Sequence, residues 1–139
     1  MTTLSPPADL HRPARPAARR LRTGRVVTAL VAAFLLFDAV IHVLDLPVVQ
    51  EAMAALGYPP GAAVPIGLIE LACLALYLVP RTAPLGAVLL TGYLGGAVAA
   101  QLRIEAPLFS TLLFPVYLGV LVWVGLWLRD SRVRALLQR

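Results

Sequence analysis

Residues Val26–Leu44 read VVTALVAAFLLFDAVIHVL, 19 residues in which one carboxylate and one histidine interrupt an otherwise apolar run. At about 1.5 Å per residue, such a run crosses the roughly 30 Å hydrocarbon core of a bilayer. A helix on a soluble core would keep a polar stripe, and this run has none. Three more runs follow, Ala62–Val79, Pro84–Leu102 and Pro107–Leu128, so that the four are 18 to 22 residues long. They predict an all-α membrane protein, a four-transmembrane-helix antiparallel bundle.

Composition agrees with that solvent. Hydrophobic residues make up 60% of the 139 and charged residues 14%, against about 25% charged in soluble domains. All 12 basic residues are arginine. Arg, Ala, Gly and Pro share GC-rich codons, which points to a bacterial source and hence to the inner cell membrane. Arg12, Arg15, Arg19, Arg20, Arg22 and Arg25 precede the first run, Arg81 separates the second from the third, and Arg129, Arg132, Arg134 and Arg139 follow the fourth. Only Arg103 falls in the other set of loops. By the positive-inside rule this places both termini in the cytoplasm. Anionic lipid accounts for the net charge of +5, so no nucleic-acid partner is expected; the bilayer is the expected partner.

Residues 1–24 hold Pro6, Pro7, Pro13 and Pro16 among Arg and Ala, and read as a disordered cytoplasmic tail. Residues 25–130 form the membrane domain and 131–139 a cytoplasmic C-terminal tail. Arg19-Arg20 and Ala52-Met53-Ala54 resemble elements of a cleaved signal. The apolar run is too long for one and the Ala-x-Ala site lies well beyond its end, so the first run is read as a retained anchor. The first outer loop, Asp45 to Gly61, reads as a short interfacial helix. Asp45 can cap it, Pro47 suits its first turn, Gly57 suits its C′ position, and Val48, Val49, Ala52, Met53 and Leu56 share a face. In the third run Gly92, Gly96 and Ala100 recur every four residues and predict a helix-packing surface, an internal contact before a homodimer seam. Pro115 predicts a kink in the fourth. The single cysteine, Cys73, reads as a buried apolar residue.

The chemistry rests on the few polar residues within the runs. Asp38, His42 and Asp45 are spaced four and three apart and share one helix face. Glu70 is the ninth residue of the second run, and Gln101 and Arg103 close the third. All fall in the outer half. An intramembrane carboxylate costs about 2.5–3.5 kcal/mol, so Asp38 and Glu70 are expected to be paired, protonated or facing water. Arg103, the only outer arginine, is their expected cation, with His42 as a second donor. Asp38, His42, Glu70, Gln101 and Arg103 thus form either a structural network or a pocket able to take a quinone head group or a small solute. A metal site from Asp38, His42 and Glu70 is disfavoured by its single nitrogen ligand and lack of a spacing signature. No phosphate-binding loop, Ser/His/Asp set or Cys-x-x-Cys is present, so neither catalytic residues nor a cofactor is assigned.

Several blocks resemble the DoxX-like family: Leu56-Gly57-Tyr58-Pro59, Glu70–Leu74, Tyr77–Thr82, Leu85–Ala99, and Leu113–Val116 with Gly125–Asp130. The resemblance covers about residues 26–137. It implies a small four-span bacterial membrane protein and, through the family's link to a thiosulfate:quinone oxidoreductase and to oxidative-stress complexes, a redox protein partner. Family members often carry a basic residue where His42 stands and a histidine where Gln101 stands; this chain departs at both. The resulting expectation is a non-catalytic subunit or accessory of a membrane redox system, quinone-linked. The alternative is a small-solute or proton-coupled carrier using Glu70 and Asp38. Oligomeric state is not legible.

Overall fold

The computed structural model describes residues 15–137, and every regular element among them is helical. Helix α1 spans Arg15–Val43, α2 Pro47–Ala55, α3 Ala63–Leu78, α4 Ala83–Arg103, α5 Phe114–Arg129 and α6 Ser131–Leu137. Three stretches are long and apolar enough to cross a membrane, Ala17–Val43, Ala83–Arg103 and Leu108–Arg129. The fourth apolar helix, α3, has 16 residues, about 24 Å of rise.

Helix α1 starts well before the apolar run. Residues 15–24, read from sequence as tail, are helical because Ala17, Ala18, Arg19, Arg20, Leu21 and Arg22 are all strong helix formers. Pro16 occupies the first turn, where its missing N–H is not needed. Gly24 then lies against Leu128 and Arg129 at the end of α5, so this segment is part of the packed structure. The rest of the expected tail, residues 1–14, lies outside the described residues. Ser131–Leu137, also expected as tail, forms α6, with Val133 buried and Arg134 donating to the carbonyls of Trp127 and Leu128 at 2.9 and 2.8 Å.

The loop helix α2 exists, with Leu46 at its N-cap in place of Asp45. Asp45 instead adopts a left-handed φ of 49°, and both its carbonyl and its Oδ2 accept from Gln50 Nε2 at 3.0 Å. The C-terminus closes as the sequence predicts. Gly57 has φ of +75°; its N–H donates to Ala54 and that of Tyr58 to Met53, each at 2.9 Å. This is the Schellman arrangement, which a side chain at Gly57 would strain. Only Val49 and Met53 of the five apolar positions are buried, against Ala63, so α2 docks by a narrower face than its pattern implied. Pro115 acts at the start of a helix. Wide i→i−5 bonds, Leu112 to Pro107 and Leu113 to Leu108, close the turn before it, and α5 begins at Phe114, where the missing donor is harmless.

Helix α1 packs against α3 and α5, and α4 packs against the same two. Leu35, Leu74, Tyr77, Leu90, Val122 and Leu126 fill the centre. The buried Tyr77 hydroxyl donates to the Val122 carbonyl at 2.9 Å, since an unpaired hydroxyl there would cost about 1–3 kcal/mol. Each of three helix pairs closes on a glycine. A Cβ on Gly67 would sit 2.8 Å from His42 Cβ and 2.9 Å from the Ala39 carbonyl; one on Gly125 would sit 2.8 Å from Thr28 Oγ1; one on Gly86 would strike the Tyr77 backbone.

Gly92 and Gly96 take no part in this packing. Both are exposed, a Cβ on either would meet nothing within 4 Å, and only Ala100 of the expected stripe is buried. The internal contact expected from their spacing is therefore corrected. Helix α4 packs through Ala83, Ala87, Leu90 and Leu94, and two residues along a helix is about 200° of rotation, which turns Gly92 away from Leu90 and Leu94.

Candidate functional site

Gly67 is the residue that assembles the site, and it carries no chemistry. Its bare backbone lets α1 and α3 meet at Ala39 and His42. One turn further along α3, Glu70 is thereby delivered to the α1 face that holds Asp38 and His42. One ligand-type atom from each of Asp38, His42 and Glu70 lies within 4.8 Å of the others. His42 Nδ1 is 2.8 Å from the Asp38 carbonyl and 3.5 Å from Asp38 Oδ2. A carbonyl only accepts, so Nδ1 carries a proton, and Nε2 keeps its lone pair while the imidazole is neutral.

Glu70 is wholly buried. Tyr93 of α4 donates its hydroxyl to Glu70 Oε2 at 2.9 Å, whereas Oε1 is buried with no hydrogen-bond partner. Among the described residues the only approach of a basic side chain to a carboxylate at salt-bridge distance is His42–Asp38, which is an ion pair when the imidazole is protonated. Two carboxyl groups thus face one imidazole and no arginine. Cys73, one turn beyond Glu70, is buried and free.

Arg103 lies elsewhere. It donates to the Leu56 carbonyl and stands 5.9 Å over the Tyr58 ring. It closes the C-terminus of α2, where free carbonyls favour a cation. The expected pairing with Asp38 and Glu70 is corrected. The cause is reach: Glu70 meets α4 at Tyr93, ten positions before Arg103, which is about 15 Å along the helix.

Beside this cluster is a pocket of about 280 Å³ whose walls include His42, Tyr58, Tyr93 and Gln101, together with Gly92, Gly96 and Ala100. The glycines expected to pack against a helix instead leave room for a cavity. Tyr93 joins the two features, since its ring lines the pocket while its hydroxyl holds Glu70. Arg103, by holding Leu56 and Tyr58, fixes the α2 edge of the same pocket. Of the residues singled out from sequence, Asp38, His42 and Glu70 come together, Gln101 joins them across the pocket, and Arg103 acts at its rim. Sequence reasoning missed Tyr93 as the partner of Glu70, and Gly67. The signal for Gly67 was a lone glycine one turn before the embedded carboxylate.

Apolar helices of membrane-crossing length, with polar side chains gathered among them, define a helical membrane protein. Residues 26–125 match the model of the DoxX-like family, and the chain belongs to that family. No curated protein and no solved structure matches it.

Proposed function

We propose that this protein is a non-catalytic subunit or accessory of a bacterial membrane redox system, and that its pocket takes a quinone head group. In this reading α1, α3, α4 and the Leu108–Arg129 stretch form an antiparallel four-span bundle in the inner membrane, with both termini cytoplasmic and α2 at the outer surface. The arginine bias supports the orientation. Reporter fusions at Tyr58 and Ala106 are expected to read outside and one at Arg81 inside; an outside reading at Arg81 would overturn the topology.

The observation that carries the ligand reading is the pocket itself. Its lining pairs the Gln101 amide and the Tyr58 phenol with Gly92 and Gly96, which carry no side chains, while the one O–H of Tyr93 is committed to Glu70. A quinone offers two carbonyl acceptors on a flat apolar ring, which suits a pocket that combines two hydrogen-bond donors with backbone free of side chains. A photoreactive short-chain quinone is expected to label the wild-type protein within α2 or α4. Gly96→Leu, which fills the cavity without touching a packed surface, is expected to lower that labelling at least tenfold while the melting temperature holds. Undiminished labelling of Gly96→Leu would contradict the assignment.

A carrier of protons or small solutes is the second reading, and the buried carboxyl of Glu70 favours it. Toward the Arg129 end, however, Leu35, Tyr77, Leu90 and Leu126 are at most 1% exposed, and a path past them requires the helices to part. Proteoliposomes in which Glu70→Gln abolishes proton-coupled uptake would favour the carrier over the accessory.

A further inference from the structure

We propose that Asp38, His42 and Glu70 bind one divalent transition-metal cation, at a centre that shares only His42 with the pocket beside it. Three observations converge. The first is composition and reach: two carboxylates and one imidazole, drawn from α1 and α3, present ligand atoms within 4.8 Å of one another. Around an ion with bonds of about 2.1 Å, tetrahedral ligands lie about 3.4 Å apart. The gap closes by side-chain rotation, for which Asp38, 33% exposed at its side chain, exchanges its 3.5 Å contact with His42 Nδ1 for the ion.

The second is an unpartnered oxygen. Glu70 is 0% exposed, Tyr93 orients it through Oε2, and Oε1 remains buried without a hydrogen bond. Buried polar atoms are almost always satisfied, and one left over beside two other ligand groups is where a cation belongs. Among the described residues no arginine supplies that charge, and Arg103 is committed to the Leu56 carbonyl.

The third is the outer support. His42 Nδ1 donates to the Asp38 carbonyl at 2.8 Å, which in the neutral imidazole leaves Nε2 as the nitrogen able to ligate; the bound state turns Nε2 to the ion in place of the Nδ1 that stands 3.5 Å from Asp38 Oδ2. Metal-binding histidines are held by such a bond to a carbonyl or carboxylate, and ligating carboxylates are themselves hydrogen-bonded, as Glu70 is by Tyr93. One nitrogen and two carboxylate oxygens suit Zn²⁺, Mn²⁺ or Fe²⁺ over soft copper, since the set contains no thiolate. Three protein ligands leave at least one coordination position for water or an added ligand. The proposal does not rest on the quinone reading.

The test uses the full-length chain in detergent, purified without a histidine tag, carrying His11→Ala and stripped with a chelator. Cobalt(II) is titrated as a visible-absorption probe, and zinc(II) and manganese(II) are used as competitors. One cobalt per chain is expected, displaced by zinc. His42→Ala and Asp38→Asn are each expected to weaken cobalt binding at least tenfold while helix content by circular dichroism is unchanged. Gly96→Leu, which replaces none of the three ligands, is expected to keep one cobalt per chain. No stoichiometric binding of any of the three ions would overturn the proposal, as would binding that survives in folded His42→Ala and Asp38→Asn. Cobalt binding in a wild-type protein that no quinone labels would support the metal site and contradict the quinone reading alone, which separates the two.

Discussion

Gly67→Leu is expected to remove most of the folded protein, whereas Gly96→Leu leaves its yield and melting temperature intact. The two substitutions are chemically identical and both lie within apolar helices. At Gly67 even a Cβ would press within 2.8 Å of His42 Cβ and 2.9 Å of the Ala39 carbonyl. A backbone carbonyl on a rigid helix cannot swing aside, so α1 and α3 must separate. Overpacking of a core costs about 1–3 kcal/mol where neighbours can adjust, and more is expected here because the contact that parts is the one presenting Glu70 to Asp38 and His42. At Gly96 the added side chain enters open space. Size-exclusion profiles and thermal unfolding of the two variants in the same detergent check the contrast. Equal loss of both would mean that the Gly92–Gly96 face is covered in the membrane, as a homodimer seam would require.

Tyr93→Phe is expected to destabilise the protein by about 1–3 kcal/mol, and adding Glu70→Leu to recover that loss or exceed it. The tyrosine hydroxyl is the one hydrogen bond to a fully buried carboxyl. Removing it strands both oxygens, because Oε1 already lacks a partner, and a stranded buried polar group costs its full desolvation. Replacing both partners with apolar groups of similar volume is often neutral or stabilising by about 1–4 kcal/mol. A protein that becomes more stable without Glu70 and Tyr93 keeps them for something other than the fold, which is the pattern expected of a binding site. Reversible unfolding in mixed detergent micelles measures both variants. If the double variant is the least stable of the set, the pair is a structural network.

The parts of the site visible in the sequence are those that helical periodicity and depth determine. Asp38 and His42 share a face because they are four apart, and Glu70 meets them because their runs place all three at similar heights. The docking of α2 follows from Pro47 and Gly57, whose backbone preferences are local. What periodicity cannot supply is the rotation of one helix about its axis relative to another. Apart from Thr91, Tyr93, Gln101 and Arg103, α4 is apolar or small, and its apolar pattern does not distinguish the Leu90–Leu94 face, which packs, from the Gly92–Gly96 face, which borders the pocket. The same blindness paired Glu70 with Arg103. Counting charges by depth identified the only outer arginine, but α4 turns Tyr93 toward Glu70, and Arg103 is drawn to the carbonyl at the end of α2. Gly67 was passed over because a glycine in an apolar run looks like filler until its neighbours are known. The helical start of α1 at Arg15 was hidden by proline and charge, which mark a tail only where no second helix is present to pack against.

The central claim is that Glu70 belongs to a unit with Tyr93 and the α1 pair, and that Arg103 stands outside it. Two double-mutant cycles sharing Glu70→Gln, one with Tyr93→Phe and one with Arg103→Ala, test it directly by unfolding free energy. Residues in contact couple by about 0.5–3 kcal/mol, and distant ones add to within about 0.5 kcal/mol. Coupling in the tyrosine cycle with additivity in the arginine cycle is the predicted result; additivity with Tyr93 together with strong coupling to Arg103 would contradict it.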